Sequence, residues 1–540
     1  MADFTKIGYL TQDHDNEWDI IVVGSGHNGL TAAAYLAKAG KRVLVLERQY
    51  YAGGGVASLE MAEPGFKSER HSAIHSLIQG NPLILNDELD LLSHFGLQYR
   101  ELHPTYAIIF ENGALVLYRD REKTMAEIRK IAPEEAANYD RLMSVSVGIV
   151  DLLMPSMYEP PADMTAAIAA SPYAAEIQAA AASSPMDIVQ KYFKDETITV
   201  ALLRYITEIQ LAHPTTKGTG LLAYVALGAL EKFGQWVPEG GGTAFTNSVI
   251  KCIEAHGGEV RLNTEVTRII TENGRAVGVG TRRGQLRAKD GVVAQIHPHN
   301  LGHMVKGLDA QIISDAEKTK ISEFTLFVIH AALERPLDFN AGGAANYTIM
   351  NTVCPNSLEE LITSYDTMAR GELPENIMIG ASTISLGDPT RAPAGKALLH
   401  AVVMVRPRLP GKEFEAWEEV KEDYVQRILH YLTRFVKNLT PELVRSYVVV
   451  TPADHMNDSP SFRMGDICGI SMGGDQLGLN RPTPALAQYR VPGLAGLYLC
   501  GPFMHPGGGV WGGGRPVARR VMEDLGLDFD AEFVKKSSRL

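Results

Sequence analysis

A short strand-forming run, Trp18–Val23, passes directly into Gly24-Ser25-Gly26-His27-Asn28-Gly29 and then into a stretch of small residues. Few folds accommodate this arrangement. The first glycine permits a tight strand-to-helix turn, the second lets backbone N–H groups approach a pyrophosphate, and the third lets the helix lie close on the strand. The helix start then presents unpaired amides and the positive end of its dipole to the phosphates. A second strand-forming run, Lys41–Leu46, ends at Glu47, 18 residues beyond Gly29. Glu47 is placed to accept hydrogen bonds from the ribose hydroxyls of an adenosine, and its charge opposes a 2′-phosphate. Arg48 joins the cofactor-binding set beside it. The chain is therefore read as α/β, with a Rossmann-like unit at its start.

With 540 residues, 45% of them hydrophobic, the chain is long enough for two domains. Its 51 basic and 63 acidic residues show no basic run, which argues against nucleic acid as a partner and against broad attraction to anionic membranes. Cys252, Cys354, Cys468 and Cys500 are far apart, fitting a reducing compartment and providing no metal-site spacing. His297 and His299 flank Pro298 but lack a third ligand at useful spacing, so no metal is expected. The polar, acidic segment 1–17 has no secretory or transit character, and a cytoplasmic location is the expectation. No run reaches the roughly 18 apolar residues of a membrane span. The nearest, Thr197–Leu230, is broken by Arg204, Glu208, His213 and Lys217. It reads as buried helices, with weak peripheral membrane contact as the lesser reading. Association into homo-oligomers stays open.

Texture along the chain suggests three nucleotide-type pieces separated by two insertions. The pieces are 17–82, 236–298 and 491–528; the insertions, 83–235 (mostly helical) and 299–490 (mixed), would build a substrate domain. The middle piece carries a helix, Ala244–His256, and short strands around Asn273-Gly274. The last carries a strand, Gly496–Gly501, a glycine run from Gly507 to Gly514, and a helix in which Pro516 suits the first turn.

Two features favour FAD over NAD: Gly53-Gly54 soon after Glu47, and the carboxyl-terminal strand, glycine run and helix, which bring a second set of amides to the flavin end. Over nearly its whole length the chain resembles the flavin-dependent phytoene desaturase and carotenoid isomerase superfamily. The resemblance rests on the GSGHNG turn with Glu47 and Gly53-Gly54, on PEGGGTAFTNSVIKCIEAHGGEVRLNTEVTRI, and on GLYLCGPFMHPGGGV. The segment GGDQLGLNRPTPALAQYRVPGLAGLYLCG is most similar to a branch named for a pyridine nucleotide-disulphide oxidoreductase domain. The resemblance implies a discontinuous, glutathione-reductase-like FAD domain with a mixed α+β substrate domain. It also implies that the Val266 backbone meets the adenine edge and that Gly501, Gly509 and Val510 lie near the flavin. Trp511 departs from the small residues usual there; it is read equally as a wall of the substrate pocket or a packed aromatic. Arg515 reads as a helix-start residue facing solvent, with a charge near the reduced flavin as the lesser reading.

A flavin takes a hydride, so the protein has only to hold a C–H bond against it and manage a proton. His71, His75 and His505 are the candidate bases; His71 and His75 share a face if their segment is helical. The expected reaction is dehydrogenation, or flavin-assisted isomerisation, of a carbon–carbon bond in a small, largely apolar substrate of isoprenoid or alicyclic type. A flavin amine oxidase and a non-catalytic flavoprotein are the rivals. No second dinucleotide fingerprint is present, so the expected electron acceptor is oxygen or a quinone.

Overall fold

The computed structural model describes residues 17–534. Its first sheet runs, in spatial order, Val266–Glu272, Arg275–Thr281, Leu494–Leu499, Gly284–Ala294, Glu17–Val23, Val43–Leu46 and Glu259–Arg261. The last five are mutually parallel. Helices cover such a sheet on both faces, which is why Val43–Leu46 is continuously apolar and fully buried. Val23 pairs with both Leu46 and Ala294, and Ala294 pairs with Leu499. The carboxyl ends of four strands therefore lie level, and a crevice beyond such ends is where open α/β sheets take ligands.

The His27–Lys38 helix lies against that sheet through Ala32, Ala33 and Ala34, all fully buried. Their small side chains let the Gly242–Ala255 and Gly514–Asp524 helices approach closely, so segments far apart in sequence meet around the first helix.

The second sheet is built from Val444–Val450, Thr325–Leu333, Ala397–Val405, Ile379–Ser382, Asn351–Val353, Tyr106–Phe110 and Gly113–Leu117. Side chains alternate across it as the two-residue period requires. Tyr106, Ile108 and Phe110 join the core of helices Ala136–Met157, Glu196–Gln210 and Leu221–Phe233, while Ala107 and Ile109 join the opposite core with the Trp417–Leu432 helix. The Thr197–Leu230 stretch thus owes its apolarity to burial: Ile198, Leu202, Leu203, Ile206 and Leu227 are fully buried. Among the described residues no helix is long and apolar enough to cross a membrane. His297 and His299 bond to the carbonyls of Gly469 and Thr319, at 2.8 Å each.

Candidate active site

At the level strand ends, Gly24 adopts φ +89°, a left-handed conformation that costs glycine little. The His27–Lys38 helix then starts without a side-chain cap and without an acid in its first turn. Its first amides are left for a ligand, and a pyrophosphate fits them. The two glycine segments touch: Gly53 N–H donates to Ser25 O at 2.9 Å, and a Cβ on Gly54 would lie 3.1 Å from the Gly26 Cα. Gly53 is closed in from behind, since a Cβ there would fall 2.4 Å from Val56 O.

Beneath the loop sits Gln295, which no sequence motif marks. Its Nε2 donates to Gly24 O at 2.7 Å. A Cβ on Gly26 would stand 2.7 Å from its Oε1, and a Cβ on Gly29 2.4 Å from its Nε2. Two glycines of the fingerprint are therefore needed to admit this glutamine as well as a phosphate. It extends from the Gly284–Ala294 strand, whose last residue pairs with Val23.

Glu47 lines the same cavity, but its carboxylate is already engaged. Oε2 accepts from Ser25 N–H and Ser25 Oγ, both at 2.8 Å, and Oε1 accepts from Gln49 N–H at 2.8 Å. A carboxylate offers about four acceptor positions, so little is left for ribose. Besides the ribose contact expected of it, this carboxylate fixes the loop. Arg48 donates to the carbonyls of Asn457 and Asp458, and both Arg48 and Val266 line the cavity.

The carboxyl-terminal glycine run closes the other side. Gly509, Val510 and Trp511 line the cavity together with His27. Gly501 (φ +132°) lies behind the wall under Phe503. Asn28 lines the cavity too, and a Cβ on Gly513 would lie 3.1 Å from its Oδ1. Trp511 combines the two roles considered for it: it lines the cavity, donates Nε1–H to Gly508 O at 2.7 Å, and packs on Tyr158. Arg515 does not face solvent. It is 1% exposed and pairs with Glu88 through Nε (2.8 Å) and Nη2 (2.9 Å), while Nη1 reaches Glu159 at 2.6 Å. Tyr35 of the first helix also donates to Glu88. The expectation of a solvent-facing arginine fails because its acids lie hundreds of residues away in sequence.

From the glycine loops the cavity runs on into an apolar compartment. Its volume is about 1680 Å³, beyond the roughly 300–1,000 Å³ of a pocket for one drug-sized ligand. Leu153, Met157, Leu222, Val225 and Leu326 are among its apolar lining residues. A dinucleotide and an apolar substrate can share it.

Of the three predicted histidines only His71 reaches this cavity. Residues 71–76 are irregular rather than helical, so His71 and His75 do not share a helix face. The His75 ring is turned inward, with Nδ1 3.0 Å from Tyr99 Oη and Phe245 against its plane; burial pushes its pKa down to about 3. His505 is buried too, its Nε2 3.1 Å from Ser156 O. His71 packs against His455 with ring centroids 4.7 Å apart and the rings tilted by 53°. His330 and His400, directly paired across strands, stand 4.8 Å apart, and His400 also lines the cavity. Burial, then the nearby His455 and Arg70, hold His71 well below the usual histidine range, so the ring is neutral at pH 7.

A second polar group in the wall carries no sequence signal as a site residue. Glu208, which interrupts an apolar run in the sequence, lines the cavity beside Tyr106, Tyr205 and Gly380. It is held by Arg204 at 3.1 Å and by the Tyr106 hydroxyl.

The sequence pattern described as flavin containing amine oxidoreductase matches residues 29–522. The chain is 27% identical over 535 residues to a limonene dehydrogenase subunit of Castellaniella defragrans, covering 94% of this chain and 95% of that one. It is 27% identical over 570 residues to pyridine nucleotide-disulfide oxidoreductase domain-containing protein 2 of Rattus norvegicus, covering 94% of each. With the lycopene-forming phytoene desaturase of Pseudescherichia vulneris it shares 25% identity over 529 residues, 94% of this chain and 99% of the desaturase. These relatives agree with the resemblance drawn from the glycine motifs and with its named branch.

Proposed function

The chain belongs to the flavin containing amine oxidoreductase family, with FAD as its cofactor, and within that family we propose that it dehydrogenates a carbon–carbon bond of a largely apolar isoprenoid or alicyclic substrate. The observation that carries this reading is one continuous cavity, which joins glycine loops suited to a dinucleotide to an apolar compartment. The relatives named for limonene dehydrogenation and phytoene desaturation support the substrate class.

Bound FAD supplies a two-electron acceptor that takes a hydride. The chain's own part is to fix the pyrophosphate at the His27–Lys38 helix start, to exclude water with the apolar wall, and to receive a proton. Loss of hydride from one substrate carbon and of a proton from its neighbour leaves a carbon–carbon double bond. A carbon next to an electron-deficient centre gives up its proton readily, so a neutral, weakly basic imidazole is sufficient. His71, in the wall at Gly55, is assigned that role. The final electron acceptor would be oxygen or a quinone.

Anaerobic mixing of the FAD-loaded protein with cyclic and acyclic isoprenoid hydrocarbons, limonene included, and with primary amines tests the reading. Bleaching by the hydrocarbons is expected. Bleaching by amines alone would make the protein an amine oxidase, and bleaching by neither would favour a binding flavoprotein. His71→Ala is expected to slow bleaching at least tenfold with FAD content unchanged. His75→Ala and His505→Ala, whose side chains do not reach the cavity, are expected to leave the rate within about twofold.

A further inference from the structure

The mechanism leaves Glu208 unused, although it puts a carboxylate into a cavity wall that holds apolar residues such as Leu211, Val225 and Val402 beside polar ones such as Gln235, Ser382 and His400. Its two oxygens differ. Oε2 forms the ion pair with Arg204 Nη2 at 3.1 Å and accepts from the Tyr106 hydroxyl. Oε1 has no hydrogen-bond partner among the described residues and lies against Gly380, where a Cβ would stand 2.9 Å away. The side chain keeps 22% of its surface exposed, and the residue lines the cavity. Arg204, by contrast, is 1% exposed.

A carboxylate built only for stability would have both oxygens paired or turned to bulk water. Here water can serve Oε1 while the cavity is wet. An apolar substrate that expels this water must bring a donor of its own or leave the oxygen stranded. The charge balance limits what that donor can be. Arg204 cancels the charge of Glu208 and would repel a second cation, and an anion would face the free carboxylate oxygen. A neutral donor meets neither objection.

We infer that Glu208, held by Arg204 and Tyr106, is a recognition site for a hydroxyl group on an otherwise apolar substrate. This deepens the dehydrogenase reading and rests on it: the substrate class becomes alcohols of isoprenoid or alicyclic compounds. Gly380 has a part in it, because any side chain there displaces Oε1.

Binding of matched decyl compounds to the FAD-loaded full chain, read as displacement of an apolar fluorescent dye, tests the inference without turnover. 1-Decanol is expected to bind at least tenfold more tightly than decyl methyl ether, which has a similar chain but no donor. Tenfold corresponds to about 1.4 kcal/mol, close to the lower end of the range for a hydrogen bond to a charged acceptor. Decylammonium and decanoate are expected to bind more weakly than the alcohol. In Gly380→Ala, which keeps the Arg204–Glu208 pair, the preference for alcohol over ether is expected to fall below threefold. Equal affinity of alcohol and ether for the wild type overturns the inference while leaving the apolar cavity intact. A preference for the ammonium or the carboxylate overturns it as well. If no decyl compound displaces the dye, the apolar-substrate reading falls with it.

Discussion

Replacing Gly29 by alanine puts the cofactor loop to its hardest test. The new Cβ would fall 2.4 Å from Gln295 Nε2 and 2.9 Å from Gly24 O. Comfortable carbon contacts lie at about 3.5–4.0 Å, so the overlap is about 1 Å with the side chain and about 0.6 Å with the backbone. Gln295 can swing away, but it then loses its 2.7 Å bond to Gly24 O, worth about 1 kcal/mol. The Gly24 carbonyl moves only if the turn moves, and overpacking of that kind costs about 1–3 kcal/mol. In the FAD-free protein the turn relaxes; the cofactor forces it back, so most of the cost falls on binding. A total of about 2–4 kcal/mol lowers FAD affinity by roughly 30- to 1,000-fold. Titrating the deflavinated protein with FAD, followed by flavin fluorescence, measures it. Adding Gln295→Ala removes the first overlap and leaves the second, so partial recovery is expected. FAD affinity within twofold of wild type for Gly29→Ala would show that cofactor binding does not depend on the close approach at this glycine.

Two further predictions concern stability. Arg515→Met strands Glu88 in the interior, which costs about 3–5 kcal/mol, whereas the Arg515→Met/Glu88→Leu double variant recovers most of it; urea-unfolding midpoints compare them, and a single variant as stable as wild type contradicts the buried network. Acid is expected to destabilise the fold through buried neutral histidines. Burial holds His75 and His297 at about 3 and His27, His400, His455 and His505 at about 4. The unfolded chain takes up protons near pH 6.5 and the folded chain does not, so this stability is complete above about pH 6.5 and declines as the pH falls toward 4. Each histidine contributes up to ~1.4 kcal/mol per pH unit, and equal midpoints at pH 7.5 and 5.5 would contradict the assignment.

The parts of the site legible in the sequence are those whose chemistry is local. Gly24, Gly26 and Gly29 announce themselves because a turn, a close approach and a helix contact recur at fixed spacing, and Glu47 follows at the end of the next strand. What stayed hidden depends on partners far along the chain. Gln295 is 271 residues from the carbonyl it holds. Arg515 looks like a surface residue until Glu88 and Glu159 are folded against it. Glu208 reads as a polar break in an apolar helix, and only the Tyr106–Phe110 strand turns it into part of a wall. The histidines fail more simply: helical spacing pairs His71 with His75 in a segment that forms no helix, so one ring meets the cavity and the other faces Tyr99 and Phe245.

We propose that one cavity holds both FAD and an apolar substrate, and the absorption spectrum of the purified protein reports on both at once. One flavin per folded chain is predicted, with visible bands that shift as an apolar hydrocarbon fills the compartment under air-free conditions and bleach if it is oxidised. A folded protein without flavin, or a flavin whose spectrum is unchanged at saturating hydrocarbon, would contradict it.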